Sequence, residues 1–312
     1  MEQLLLSIVE NLSGFQLLES VLPYEQMEFQ QYGSTFLHKQ NGYLFLFQPY
    51  LPLMVSDTSI GFVDSYYKAY QRLYSRRNTV LNHIKEQFPL SVPYRGLYKN
   101  LMVALKIGRV LRNTLIWIKP FGTFFCVEVI DLYNRPLYIS PILSSDIRPE
   151  CKTCIACQKK CPSKAICDSG FIRSKCLRQW QCDFADFEND YSRHLLGNRI
   201  LGCNTCQIYC PLNHGTSVKT LRPDDLYRSL FQLDTLAIKT CSPGFKDGEY
   251  VAVFGRNYAK PMKILSFVLN AMLNDDPFQH IDTIQQCLNM GKPSAKPLLK
   301  KYIQLCQREG KL

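Results

Sequence analysis

Seven cysteines fall in two tight runs, Cys151-x2-Cys154-x2-Cys157-x3-Cys161-Pro162 and Gly202-Cys203-x2-Cys206-Gln207-x2-Cys210-Pro211. Thiolate sulfur is a soft ligand. The x2, x2, x3 spacing followed by proline is that of bacterial ferredoxins, in which three thiolates wrap one iron–sulfur cubane and the fourth crosses to another. Two cubanes need eight thiolates, so one ligand must come from outside the runs. Cys176 in Ile172-Arg-Ser-Lys-Cys176-Leu177 is the candidate, because it follows the first Cys-Pro turn closely enough to reach the second cluster. Cys167 and Cys182 are the alternatives. Such a ligand set predicts electron transfer.

Zinc is the nearest rival, since Cys-x2-Cys pairs also build tetrahedral thiolate sites. Zinc ribbons use two separated pairs, whereas here four cysteines lie within eleven residues and proline follows the last cysteine of both runs. Disulfides fit less well. Met1–Ser20 is amphipathic and contains acids, without the basic start and apolar core of a signal peptide, so the expected compartment is a reducing cytoplasm. Cys126, Cys241, Cys287 and Cys306 have no partner spacing and read as small buried hydrophobes. The histidines show no metal-ligand spacing either.

The central segment resembles the double-cluster domain of the epoxyqueuosine reductase family, whose enzymes act in the last step of making the queuosine base of transfer RNA. The resemblance runs through Cys151–Pro162, Cys176-Leu177 and Leu196-Gly-Asn-Arg-Ile-Leu-Gly-Cys-Asn-Thr-Cys-Gln-Ile-Tyr-Cys-Pro-Leu-Asn213. It implies that Cys151, Cys154, Cys157 and Cys210 hold one [4Fe-4S] cluster, and that Cys161, Cys176, Cys203 and Cys206 hold the other. It also implies cobalamin as a further cofactor, tRNA as partner, and an electron donor such as flavodoxin or ferredoxin.

The elements that must position these residues fit an α+β chain. With 312 residues, 46% of them hydrophobic, it can bury two or three cores of domains of about 100–150 residues. No apolar run approaches the roughly 20 residues of a membrane span, and a monomer is expected. Lys and Arg number 37 against 26 Asp and Glu, a formal charge of +11. That excess favours an anionic partner such as nucleic acid, or else offsets the clusters, beside which Lys152, Lys159, Lys160 and Lys164 crowd. Met1–Leu18 reads as helix and Gly42–Tyr50 as a buried strand ending at proline. Val63–Phe88 reads as an amphipathic helix with a basic face, and Asn113–Ile118 and Thr123–Ile130 as β segments. Pro136–Leu143 is a further apolar segment. Asp224–Leu236, Tyr258–Leu273, Phe278–Met290 and Ala295–Glu309 read as helices.

Set beside the family, the expected organisation is a corrinoid-domain-like α/β region over 1–145, a ferredoxin-like two-cluster domain over 146–220 and a helical region over 221–312. Ser65-Tyr-Tyr-Lys68 resembles the family's Asp-Tyr-His-Lys, and Asn113-Thr-Leu, Phe121-Gly-Thr-Phe-Phe125 and Glu128 resemble the strands after its glycine loop. That loop, Gly-x-Gly-Trp-x-Gly-Lys in the family, is here Lys106-Ile-Gly108-Arg-Val-Leu-Arg112. Gly108, Asn113 and Thr114 are the candidate cofactor contacts. The family's proton-donating Asp is missing: Val92 stands opposite it, and no carboxylate lies between Glu86 and Glu128. Tyr94, beside Arg95, is the candidate general acid, with an ordinary half-buried aromatic as the alternative. In the tail, Phe254-Gly-Arg-Asn-Tyr-Ala-Lys-Pro261 resembles the family's entry to its tRNA-supporting helices, and Arg256, Lys260, Lys263 and Lys300 could meet phosphates. Two functions follow: corrinoid-dependent reduction of epoxyqueuosine in tRNA, or electron transfer by a divergent paralogue without corrinoid chemistry or on another substrate.

Overall fold

The computed structural model describes residues 2–18, 34–134, 142, 147–182, 190–213, 220–245 and 248–310. The segment Pro136–Leu143 lies almost wholly outside them. Helix α1 (Glu2–Asn11) stops well short of Leu18, because Gly14 takes φ +83° and Phe15–Leu17 become a strand, β1. β2 (Thr35–Gln40) and β3 (Tyr43–Pro49) form a hairpin closed by Asn41 and Gly42, both at positive φ as a two-residue turn requires. β3 is buried along its whole length, which its unbroken apolar run demands. After β4 (Phe62–Val63) comes α2 (Ser65–Ile84), started by the Asp64 carboxylate accepting from the Tyr66 N–H at 3.1 Å. β5 (Val92–Pro93), α3 (Tyr98–Ala104), the β6–β7 pair (Arg109–Val110 with Ile116–Trp117) and β8 (Phe125–Asp131) complete the first region. Only Ile116–Trp117 of the segment expected at Asn113–Ile118 is extended.

The main sheet has the order β1-β2-β3-β8-β5. Leu44 and Leu46 face α2 through Leu73, Val80 and Ile84, while Phe45 and Phe47 face a second core with Leu101, Ile118 and Phe121. The basic face expected on α2 divides. Lys68 and Arg72 are exposed, whereas Arg76 turns in to the Gly14 carbonyl and Thr35, and Arg77 is buried against Glu128.

The cysteine-rich segment holds α4 (Ala156–Lys160), β9 (Ile166–Cys167), β10 (Gly170–Phe171), α5 (Leu177–Cys182), α6 (Asp190–Leu196), β11 (Arg199–Leu201) and α7 (Thr205–Ile208). The expected tail helix 224–236 breaks at Gln232, which leaves α8 (Asp225–Phe231) and starts α9 (Leu233–Cys241) with its own side chain as cap. Then follow α10 (Gly248–Phe254), which the sequence pattern did not reveal, α11 (Pro261–Asn274), α12 (Ile281–Asn289) and α13 (Lys296–Arg308). Cys241, Cys287 and Cys306 lie in the core of these helices, and Cys126 in that of the sheet. The three segments share cores. β11 pairs parallel with β4, and Ile60, Val63, Tyr67, Ile200 and Leu201 pack into the helical core.

Candidate metal centre

Two short helices organise the thiols. α4 carries Cys157 and ends at Cys161, α7 carries Cys206 with Cys210 just past its end, and the two helices pack together. Each therefore presents one cysteine per turn end, four residues apart, to two neighbouring positions. Gly202 enters the second run at φ +92°, and a Cβ there would lie 2.5 Å from the Asp64 Cβ, so glycine is required where this loop meets the head of α2.

Cys151, Cys154, Cys157 and Cys210 line an enclosed cavity of about 70 Å³, closed by Leu111, Pro211 and Leu212. Burial pushes the Cys157 thiol up to about 11, with Cys210, Cys154 and Cys151 adding to it; Cys210 is raised by burial and by Cys151 and Cys154. Cys161, Cys176 and Cys206 pack with Cys157 in a small cluster nearby, although among the described residues no group of three or more metal-ligating side chains is preset for a metal ion. Burial raises Cys206 well above the usual thiol range, helped by Cys203, Cys176, Cys157 and Cys161, and Cys176 is raised by burial and then by Cys203 and Cys161. Converging thiols that resist ionisation alone are what a cationic metal core would ionise and bind. Sulfur accepts at one of these thiols, where the Ala165 N–H points at Cys161 Sγ at 3.3 Å, and Thr205 Oγ1 lies 3.5 Å from Cys203 Sγ. Cys176 joins these groups. Cys167 instead contacts the Gly170 carbonyl and Ser169, and Cys182 pairs with the Tyr258 hydroxyl at 2.8 Å.

Long-range braces fix the thiol loops to the sheet region. Asn213 accepts from the Thr123 N–H at 3.0 Å and donates to Thr123 Oγ1 and the Gln207 carbonyl, both at 2.8 Å. Tyr50 donates to Gln207 Oε1, Asn204 to the Leu53 carbonyl, and Trp117 to the Leu212 carbonyl. Arg112 clamps the Cys151 carbonyl through Nε and Nη2 at 3.1 and 3.0 Å.

The other candidates are placed differently. Asn113 is buried, donating to the Cys206 carbonyl at 3.1 Å and accepting from the Leu115 N–H. Thr114 takes φ +63°, and its carbonyl accepts from Lys99 at 2.7 Å. The side of Gly108 where a Cβ would stand is filled by Ile116 and Ile118, at 2.6 and 2.8 Å. Its backbone borders a cleft of about 510 Å³ whose rim carries Lys106, Arg109, Lys119 and Arg148, the last stacked on the Trp117 ring at 4.0 Å. Tyr94 packs edge-on against Tyr43 and close to Tyr98, and burial, then Asp131, raises its phenol. That direction is opposite to the effect of an acidifying cation.

Two sets of contacts, those of Arg178 and of Glu128, escaped the sequence reading. Arg178, two residues after Cys176, lies over the Tyr66 and Tyr67 rings at 4.3 and 5.6 Å. Glu128 is buried and accepts from Tyr70 at 2.8 Å, Arg77 at 3.2 Å and Tyr98 at 3.3 Å. Burial, reinforced by Glu128, pushes Tyr98 up to about 12. Both depend on partners far away in the chain.

Residues 150–213 match the family model of the 4Fe-4S double cluster binding domain. Epoxyqueuosine reductase of Escherichia coli is 25% identical over 176 residues, 53% of this chain and 45% of that protein. Its counterpart in Listeria monocytogenes is 35% identical over 109 residues, 35% of this chain and 27% of that protein. The chain thus matches under half the length of these relatives. Among solved structures, epoxyqueuosine reductase from Bacillus subtilis is similar at a TM-score of 0.59 and 17% identity, covering 83% of this chain and 71% of that one. An epoxyqueuosine reductase solved with an epoxyqueuosine-modified tRNA stem loop is similar at 0.58 and 16% identity, covering 84% and 76%. At such identities the structures speak for a shared fold. Among the described residues, no helix is long and apolar enough to cross a membrane. The chain is thus similar to epoxyqueuosine reductases in its double-cluster segment and shares their mixed α/β fold.

Proposed function

We propose that the chain is an iron–sulfur oxidoreductase of the epoxyqueuosine reductase kind, which reduces epoxyqueuosine in tRNA with electrons drawn through two [4Fe-4S] clusters. Cys151, Cys154, Cys157 and Cys210 would hold one cluster, and Cys161, Cys176, Cys203 and Cys206 the other. What supports this reading is the match of residues 150–213 to the 4Fe-4S double cluster binding domain, together with the cavity that Cys151, Cys154, Cys157 and Cys210 line. The clusters supply one-electron transfer. Opening the epoxide to an alkene takes two electrons and two protons and releases the oxygen as water, so a proton donor must stand near the base. The hydrogen bond that the Cys161 sulfur accepts from the Ala165 N–H would stabilise the reduced state of a cluster bound there.

Cobalamin, implied by the family, would stand between clusters and substrate. Asn113 does not fit a corrinoid contact, since its side-chain amide is engaged with Leu115 and Cys206, and the Thr114 carbonyl is taken by Lys99. Gly108 borders a cleft with a cationic rim rather than a seat for a neutral macrocycle. The same observations, with the raised Tyr94 phenol, favour the second reading, an electron-transfer protein without corrinoid chemistry.

An anaerobic cobalamin titration followed by visible spectroscopy, combined with conversion of epoxyqueuosine-containing tRNA, tests the first reading. Turnover to queuosine is expected. Reducible clusters with neither corrinoid binding nor turnover would transfer the assignment to the second reading.

A further inference from the structure

Electrons must enter the protein somewhere, and tunnelling weakens steeply with distance, so a donor has to sit against the shell of a cluster. The shell of the first thiol set reaches the surface at two apolar residues. Ile155, between Cys154 and Cys157, is 41% exposed, and Tyr209, directly before Cys210, is 45% exposed. They are ringed by cations. Lys160 lies over the Tyr209 ring at 4.6 Å, and Lys152 and Lys159 are exposed beside them. Past Cys151 the surface continues into the cationic cleft. Of the nearby acids, Glu150 is already paired with Arg148 at 2.8 Å, which leaves Asp168, held by the Gln158 amide at 3.2 Å, against three lysines.

We propose that the Ile155–Tyr209 surface, with Lys152, Lys159 and Lys160 around it, is the docking site of a small acidic one-electron carrier protein. The inference rests on reading the thiols as cluster ligands. A small apolar spot within a ring of like charge suits a transient redox encounter, which buries less than about 1,200 Å². The charge steers the partner at long range, and the apolar contact admits close approach without holding it. Each encounter moves one electron: the carrier is oxidised by one, the cluster is reduced by one, and no bond is made or broken. RNA would also meet the cations, but the two exposed apolar side chains adjoin the thiol loops themselves, which electron entry requires and phosphate binding does not.

The test uses the holoprotein and flavodoxin hydroquinone as probe, with cluster bleaching followed anaerobically by stopped flow. In the variant K152E/K159E/K160E the bimolecular rate at low salt is expected to fall at least about tenfold and to lose its salt dependence. Reduction by dithionite, which needs no docking, should stay unchanged and shows that the variant is folded and loaded. Ile155→Ser should slow the flavodoxin reaction without altering its salt dependence. An unaltered flavodoxin rate in the triple variant overturns the proposal. So does tRNA that blocks flavodoxin in the wild type while the triple variant loses tRNA binding, since the surface would then belong to RNA. Wild-type protein that dithionite cannot bleach would refute the thiol reading itself, a separate failure.

Discussion

Asn213→Leu tests whether the sheet region holds the first thiol set in place. Asn213 is buried, three residues after Cys210, and its amide satisfies the Thr123 N–H, the Thr123 hydroxyl and the Gln207 carbonyl. Leucine keeps the approximate volume and removes all three bonds. The Thr123 hydroxyl can turn elsewhere and the Gln207 carbonyl keeps the Cys210 N–H at 3.1 Å, so one backbone group, the Thr123 N–H, is left buried without its partner, at about 1–3 kcal/mol. If iron leaves through local opening of this loop, the opened state becomes more populated by the same free energy, which is about fivefold at the lower end. The assay is anaerobic iron capture by a chromophoric chelator, with the signals of the two clusters resolved by electron paramagnetic resonance. Fast loss of about half the iron, from the first set, is expected. Iron release at the wild-type rate would refute the brace, and equal loss from both sets would refute its local character.

Further outcomes follow from other parts of the molecule. Cys176→Ala should halve the iron content while Cys167→Ala and Cys182→Ala leave it whole; full iron in Cys176→Ala would reassign the eighth ligand. If the exposed Arg256 and Lys260 meet phosphates, replacing both should weaken tRNA binding and lower its salt slope by up to about two units, and an unchanged slope would clear them of that role. His280 is buried between Asp234 at 3.0 Å and Asp275 at 3.2 Å; burial opposes its charge, but the two carboxylates outweigh it and raise its pKa. Its stabilisation is therefore complete below the unfolded value of about 6.5 and is lost as pH rises through the folded value. Melting curves from acid to mildly alkaline pH should show that loss in the wild type and not in His280→Gln; identical profiles would contradict it.

What could be read from the sequence was what is local. The cysteine runs are legible because cluster ligands sit at fixed short spacings, and β3 and α2 because their apolar periods are unmixed. Cys176 was legible only by its position between the runs. The braces were not, since Tyr50 and Gln207 lie 157 residues apart and neither residue type announces a partner. Arg76 and Arg77 read as a solvated basic face, yet tertiary acceptors at Gly14, Thr35 and Glu128 draw them inward. The tail helix was drawn too long because Gln232, an ordinary helix former, serves as the cap of α9. The resemblance suggested Asn113 as a cofactor contact, and only the fold shows its amide bound to the Cys206 carbonyl.

The central claim is that eight thiols in two adjoining sets hold two cubanes. Anaerobically purified protein should contain about eight iron and about eight acid-labile sulfide per chain. Stoichiometric zinc without sulfide would contradict it.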